Sequence, residues 1–183
     1  MANILIAVTG SIASYKAADL VSSLKKQGHD VTVLMTEAAR EFIQPLTLQV
    51  LSQNPVHLDV MKEPYPDQVN HIELGKRTDL FIVAPATANT IAKLAHGFAD
   101  NMVTSTAIAL PSHIPKLLAP AMNTKMYDHP ATQANLKTLE TYGYQIISPK
   151  ESLLACGDHG KGALADLNTI LERIKETLDE QTL

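Results

Sequence analysis

The stretch D-L-F-I-V-A-P-A-T-A-N-T, Asp79 through Thr90, decides the fold. Residues 80–84 form an unbroken, partly β-branched apolar run, which suits a short strand buried on both faces of a parallel sheet. Pro85 has no N–H to give to a ladder and fixes its own φ, so the strand is expected to end there. Small and polar residues, Ala86 to Thr90, then lead into the helical pattern Ile91, Ala92, Leu94, Ala95. A buried strand, a tight polar turn and a helix start together make the edge of an α/β sheet where ligands bind. The turn is therefore expected to hold a cofactor.

The same grammar repeats on either side. Residues 3–9 read as a first strand closed by Gly10. From Ala13 the apolar residues Ala17, Leu20, Val21 and Leu24 follow at helical spacing, with Gly28 at the C-cap position. Residues 31–35 read as a second strand, residues 37–42 as a short helix, and Pro45 opens another that runs to about Leu51. Residues 54–70 carry Pro55, Pro64, Pro66 and several charges and form the longest irregular stretch. Residues 71–76 read as a short helix, and helices are expected over 88–96 and 100–110. A strand at 115–119, helices at 123–126 and 130–141, and a last strand at 144–147 follow. Residues 150–165 are Gly-rich and irregular, and 168–178 is an amphipathic helix.

Strand and helix alternate with no hairpin signal. That pattern predicts an α/β fold, a doubly wound and mainly parallel sheet with helices on both faces, in the flavodoxin- or Rossmann-like three-layer manner. The 183 residues suit one domain, 1–183. Right-handed crossovers gather the C-terminal strand ends on one edge, which collects residues 9–11, Thr36, 85–90 and 120–123.

Composition narrows the function classes. A formal charge of −4, scattered Lys and Arg, no Trp and 4% aromatic residues argue against a nucleic-acid surface. No apolar run approaches the ~18 residues of a membrane span, and the N-terminus lacks the basic region of a secretion signal. The single cysteine excludes an internal disulfide and a thiolate metal cluster, and metal binding has no support. A cytoplasmic protein is expected.

The turn Gly10-Ser11-Ile12-Ala13-Ser14-Tyr15-Lys16 follows the first strand and opens the first helix. It is no Walker loop, since Tyr15 stands where that pattern needs Gly and Ala17 where it needs Ser or Thr. It lacks G-x-G-x-x-G as well. What remains is a helix N-terminus with a hydroxyl, enough for one terminal phosphate; equally, Ser11 simply caps the helix. Thr36 carries the same two readings.

Five motifs fall in order: G-S-I-A-S-Y-K at 10–16, H-I-E-L at 71–74, A-P-A-T-A-N-T at 84–90, P-A-M-N-T-K-M-Y at 120–127 and A-C-G-D-H-G-K-G-A at 155–163. Together they resemble the homo-oligomeric flavin-containing cysteine decarboxylases, and most closely the members that act on 4′-phosphopantothenoylcysteine in coenzyme A biosynthesis. The resemblance spans nearly the whole chain. It implies FMN at the sheet edge between subunits, in a trimer or a dodecamer built of trimers. Gly10, Ser11 and Ile12 would meet the FMN phosphate region, Thr36 and Phe42 would flank the cofactor, and Thr87, Ala88, Asn89, Thr90 and Ala121 would complete its pocket. Relatives that carry a C-terminal ligase domain are longer, so the resemblance is to the single-function form. Some relatives read Gly-Arg-Met where this chain has Gly162-Ala163-Leu164.

An amino-acid carboxylate leaves slowly because the carbanion has no electron sink. The resemblance implies the remedy: the substrate's CH2–SH is oxidised by the flavin to a thioaldehyde, CO2 loss gives an enethiolate, and the electrons return while a proton donor completes the thiol. His71 matches the family histidine, for proton transfer or charge stabilisation; from residue type alone it is one of seven histidines, on a surface. Asn123 suits holding the substrate carboxylate and amide, and also suits an N-cap. Cys156 is implied as the proton donor; the plainer reading is a buried small hydrophobe. The resemblance adds Met122 and Ala155 to the substrate side, although by type Met122 and Met126 read as packing. Asp158 and His159 share the Cys156 loop, too close in sequence to argue a nucleophile and its base. Competing outcomes are an oxidative decarboxylase of peptidyl C-terminal cysteine, a silent flavin-binding regulatory subunit, and a prenyl-FMN synthase, which the His and Cys motifs do not fit.

Overall fold

The computed structural model describes residues 1–64 and 66–181; Tyr65, inside the irregular 54–70 stretch, and the last two residues of the 1–183 span lie outside the described residues. Six strands, β1 (Asn3–Val8), β2 (Asp30–Met35), β3 (Val56–His57), β4 (Leu80–Ala86), β5 (Lys116–Pro120) and β6 (Tyr144–Ile146), form one parallel sheet in the order β3-β2-β1-β4-β5-β6. The α/β doubly wound expectation holds.

The two faces follow from side-chain alternation along each strand. Ile4, Ile6, Val8, Val33 and Ile82 point to one side, where α1 (Lys16–Lys26), α2 (Pro45–Ser52) and α8 (Leu167–Glu180) bring Leu20, Val21, Leu24, Leu48, Ile170 and Ile174. Leu5, Ala7, Leu34, Phe81 and Val83 point to the other. There they meet α4 (Ala88–Ala95), α5 (Met102–Ala109), α7 (Pro130–Thr141) and Leu74 of α3 (Asn70–Arg77). Burying one such large side chain contributes about 1.5–3 kcal/mol, and because both faces are covered the strands read as continuous apolar runs. Helix α1 stops as its sequence predicts. Gly28, at φ +87, gives its N–H to the Lys25 carbonyl, and His29 gives its N–H to that of Leu24, a Schellman closure.

Three local expectations are corrected. Strand β4 does not end at Pro85 but runs on to Ala86, which pairs with Pro120 after a register shift beyond Val83. The proline sits at the irregularity, where its missing N–H breaks no ladder bond, and the Ala84–Pro85 peptide is cis. The irregular 54–70 stretch contributes the two-residue edge strand β3. The 150–165 segment is not irregular throughout: β7 (Lys150–Leu153) and β8 (His159–Ala163) pair antiparallel as a separate hairpin.

The edge at β3 also seats α3. The Asn70 amide donates to Glu63 Oε2 at 2.7 Å, and its side chain lies 2.9 Å from His57 Nδ1. Burial pushes the His57 imidazole below its ordinary value, and His29 likewise. Both rings therefore take up a proton less readily in the fold than in the unfolded chain, where imidazoles titrate near pH 6.5. Stability from these groups is present above that pH and lost as pH falls through it. Melting temperature is expected to drop between pH 7.5 and 5.5, and His57→Gln to flatten that slope; thermal scans across the range check it.

Candidate functional site

The cleft opens at the C-terminal edge of the sheet, at the switch point between β1 and β4, where the chain departs to opposite faces. One buried side chain ties the two strand ends together. The Thr9 hydroxyl donates to the Pro85 carbonyl at 2.7 Å and accepts from the Thr87 amide at 3.0 Å. The turns after β1 and β4 are thus a single hydrogen-bonded unit. The cleft above them measures about 920 Å³, within the roughly 300–1,000 Å³ of small-molecule sites.

One wall is the turn at Gly10, Ser11 and Ile12. Ser11 Oγ accepts from the Ala13 amide at 3.2 Å, and Ser14 Oγ from the Ser11 amide at 3.1 Å, so Ser11 is a helix cap, the plainer of its two readings, and still faces the cleft. A Cβ on Gly10 would come within 2.5 Å of the Ala38 Cβ, so glycine is what lets the 3-10 turn Glu37–Glu41 lie against it. That contact brings Thr36 into the lining. Thr36 Oγ1 is buried with no hydrogen-bond partner among the described residues. Such a group ordinarily has a partner, and here a bound molecule would supply it.

The floor is the turn at 87–90. Thr87 caps α4 by accepting from the Thr90 amide at 3.3 Å, and Ala88, Asn89 and Thr90 line the cleft with it. Lys93, one turn on, is paired with Asp100, and both reach the rim with Asn101, the cap of α5.

The far wall comes from the segment after β5, Ala121, Met122 and Asn123, and from the β7–β8 hairpin. Asn123 is the N-cap that its sequence position suits, and it also lines the cleft. Its Oδ1 accepts from the Lys125 amide at 2.8 Å and caps α6 (Thr124–Asp128), which leaves its Nδ2 aimed at the hairpin. The Nδ2 lies 3.0 Å from Cys156 Sγ and 3.0 Å from Asp158 Oδ2. The hairpin is docked at its base, where the Met122 amide donates to the Gly162 carbonyl at 2.9 Å. Gly162, at φ +156, has the Met122 oxygen 2.3 Å from where a Cβ would stand, and Gly160 has Thr124 Oγ1 at 2.6 Å. No larger residue would let this strand approach so closely. Ala155 and Cys156 occupy the tip. Cys156 is exposed, which rules out the buried-hydrophobe reading.

The Cys156 thiol donates to Asp158 Oδ2 at 3.5 Å. Asp158 is held below the usual carboxylate range, first by the Asn123 amide, then by Cys156, then by the nearby Lys125 charge. His159 turns away and pairs with Glu151 across the hairpin at 3.6 Å. The tip thus couples the thiol to a carboxylate and not to an imidazole.

Two sequence-chosen residues stand elsewhere. His71, the second residue of α3, is absent from the cleft lining, and its Nδ1 is buried without a hydrogen-bond partner among the described residues. Phe42, 45% exposed, is also outside the lining. Conversely, Lys16, Met126 and Lys150 line the cleft and were not singled out for it. Met126, 50% exposed, is no core residue of this chain. Lys16 had a usable signal, being the last residue of the turn motif; Lys150 had none in one dimension.

A parallel sheet whose switch-point turns and docked hairpin border a cleft has the architecture in which α/β proteins bind small molecules. The chain belongs to the Flavoprotein family, whose model matches residues 1–179. It is 63% identical over 175 residues to a probable phosphopantothenoylcysteine decarboxylase of Streptococcus mutans, covering 96% of this chain and 98% of that protein. It is 47% identical over 180 residues to the coenzyme A biosynthesis bifunctional protein CoaBC of Bacillus subtilis, covering 98% of this chain but 44% of that longer protein. Among solved structures, a cysteine-to-serine mutant of PPC decarboxylase complexed with pantothenoylaminoethenethiol matches with TM-score 0.88 at 31% identity, covering 97% of this chain and 98% of that one. The FMN binding protein AtHal3 matches with TM-score 0.84 at 31% identity, over 98% and 97%.

Proposed function

We propose that this chain is an FMN-dependent decarboxylase that converts 4′-phosphopantothenoylcysteine to 4′-phosphopantetheine and CO2 in coenzyme A biosynthesis. The observation that carries the reading is the Asn123 amide 3.0 Å from the Cys156 sulfur, inside the cleft walled by the cofactor turns. The residues present fit FMN: an unpartnered buried Thr36 hydroxyl, the Gly10–Ile12 turn at a helix start for a terminal phosphate, and room for the ring. When bound, FMN supplies reversible two-electron oxidation of the substrate's thiol-bearing carbon.

The chain's own residues do the rest. Asn123, fixed by its cap bond, offers N–H donors to the substrate carboxylate. Met122 and Ala155 wall the substrate. Cys156 places an S–H at the carbon that must be protonated once CO2 has left, so the saturated thiol is finished and not released as an enethiol. His71 serves proton transfer or charge stabilisation at the reacting groups, and its distance from this chain's cleft is met by a neighbouring subunit of a homo-oligomer, a trimer or an assembly of trimers. Exposed Ile12, Leu46 and Val50, at 61%, 67% and 67%, support such an assembly. The unit is one flavoprotein domain over 1–183. A cytoplasmic location suits a reaction that needs its substrate and Cys156 as free thiols, and no helix among the described residues is long and apolar enough to cross a membrane.

The purified protein is expected to be yellow and to release FMN on denaturation, identified by its mass. A colourless protein that takes up no FMN would remove the cofactor assignment. Incubated with phosphopantothenoylcysteine and, separately, with a peptide ending in cysteine, it is expected to convert the first to the saturated thiol. An enethiol two hydrogens lighter, made from the peptide, would favour the oxidative reading.

A further inference from the structure

The Asn123 side chain has one end committed. With Oδ1 holding the Lys125 amide, only Nδ2 can meet the substrate carboxylate, and in the chain itself Nδ2 already lies against a carboxylate, that of Asp158. A substrate carboxylate taking an N–H of that amide competes with Asp158 for it, against like-charge repulsion. Asp158 is also tied to Cys156. The tip is closed on itself: the Leu154 amide donates to the Asp158 carbonyl at 2.8 Å, and the Gly157 amide to the Leu154 carbonyl at 2.9 Å, with Gly157 at φ +87. Cys156 lies inside that turn, and its thiol donates to Asp158 Oδ2, the carboxylate oxygen that meets Asn123 Nδ2. The hairpin base, by contrast, is fixed by Gly160 and Gly162 against Thr124 and Met122. The tip is thus the less tightly packed part of the hairpin, and within it one turn holds both Asp158 and Cys156.

We propose that Asp158 is a positioning residue whose carboxylate occupies the substrate-carboxylate seat on Asn123 and carries the Cys156 thiol on and off that seat. The inference rests on the proposed function, which gives Asn123 to the substrate carboxylate. Its consequence is an order of events. While the substrate keeps its carboxylate, Asp158 and Cys156 are displaced. Once the carboxylate has left as CO2, Asp158 returns to Asn123 and the thiol arrives with it, so the proton donor is seated after decarboxylation and not before.

The test is equilibrium binding by calorimetry to the FMN-loaded protein, using two probes that cannot be oxidised at sulfur. One is 4′-phosphopantothenoylserine, which keeps the carboxylate; the other is its ethanolamine counterpart, which lacks it. In Asp158→Asn and Asp158→Ala, affinity for the serine probe is expected to rise about threefold to tenfold, the worth of an exposed charge-assisted hydrogen bond no longer competing. The ethanolamine probe is expected to change by less than about twofold. A merely structural role would weaken both probes together. Equal shifts for the two probes, or none, would overturn the proposal while leaving the function intact. With phosphopantothenoylcysteine, both variants are expected to release part of the product as the lighter enethiol. A wild type that makes no thiol product at all would overturn both this proposal and the function it rests on.

Discussion

In a Cys156→Ser variant, CO2 release and FMN content are expected to hold while the finished thiol falls by at least about 100-fold, the ordinary worth of a positioned proton donor. In its place an enethiol two hydrogens lighter should accumulate. The hydroxyl can keep the contacts that the sulfur makes with Asn123 and Asp158, so the tip stays seated. What changes is acidity, because an alcohol gives up its proton far less readily than a thiol. The turns at 10–12 and 87–90, proposed to hold FMN, lie on other elements of the chain and should bind as before. The serine-substituted PPC decarboxylase noted above holds pantothenoylaminoethenethiol, a compound of the expected class. Mass spectrometry of the product, alongside measured CO2, decides it. Normal thiol yield would take Cys156 out of the reaction.

His71→Asn is expected to lose decarboxylation itself, by about 100- to 10,000-fold, with the flavin spectrum retained. The more informative measurement mixes chains. His71 is missing from its own chain's cleft, whereas Asn123 and Cys156 are in it. If a neighbouring subunit supplies the histidine, His71→Asn chains co-expressed with Cys156→Ser chains under separate tags should regain thiol production, although neither variant makes it alone. In a head-to-tail ring of three, a mixed assembly has about one fully intact site in three. No recovery would place His71 in the cleft of its own chain, by a movement of α3.

The fold was legible where burial is two-sided. Strands β1, β2, β4 and β5 are short apolar runs because both faces are covered, and α1 announced its end through Gly28. Edges and hairpins were not. Strand β3 is two residues inside a Pro-rich, charged stretch, with no period to detect. In β8, Gly160 and Gly162 read as loop-formers. Their role is close approach to Thr124 and Met122, which no one-dimensional pattern states. Pro85 misled for a related reason: a proline ends a ladder only where its N–H was needed, and at the register shift it was not. At the site, Ser11, Thr36, Thr87 and Asn123 were legible because polar residues after buried strands must lie at the sheet edge. The coupling of Cys156 to Asp158 was not, since two residues apart along an extended chain says nothing of a turn closed by Gly157.

Thr9 gives the cleft one more property. Its hydroxyl spends its donor on Pro85 and an acceptor lone pair on Thr87, and both bonds are internal to the chain. The two turns that line the cleft are therefore already tied to each other before a ligand arrives and have less freedom to lose. Their ordering is included in the folding of the sheet itself, and that part of the entropic cost is absent from binding. Affinity at this edge depends on shape already present, while the adaptable part of the site is left to the hairpin tip.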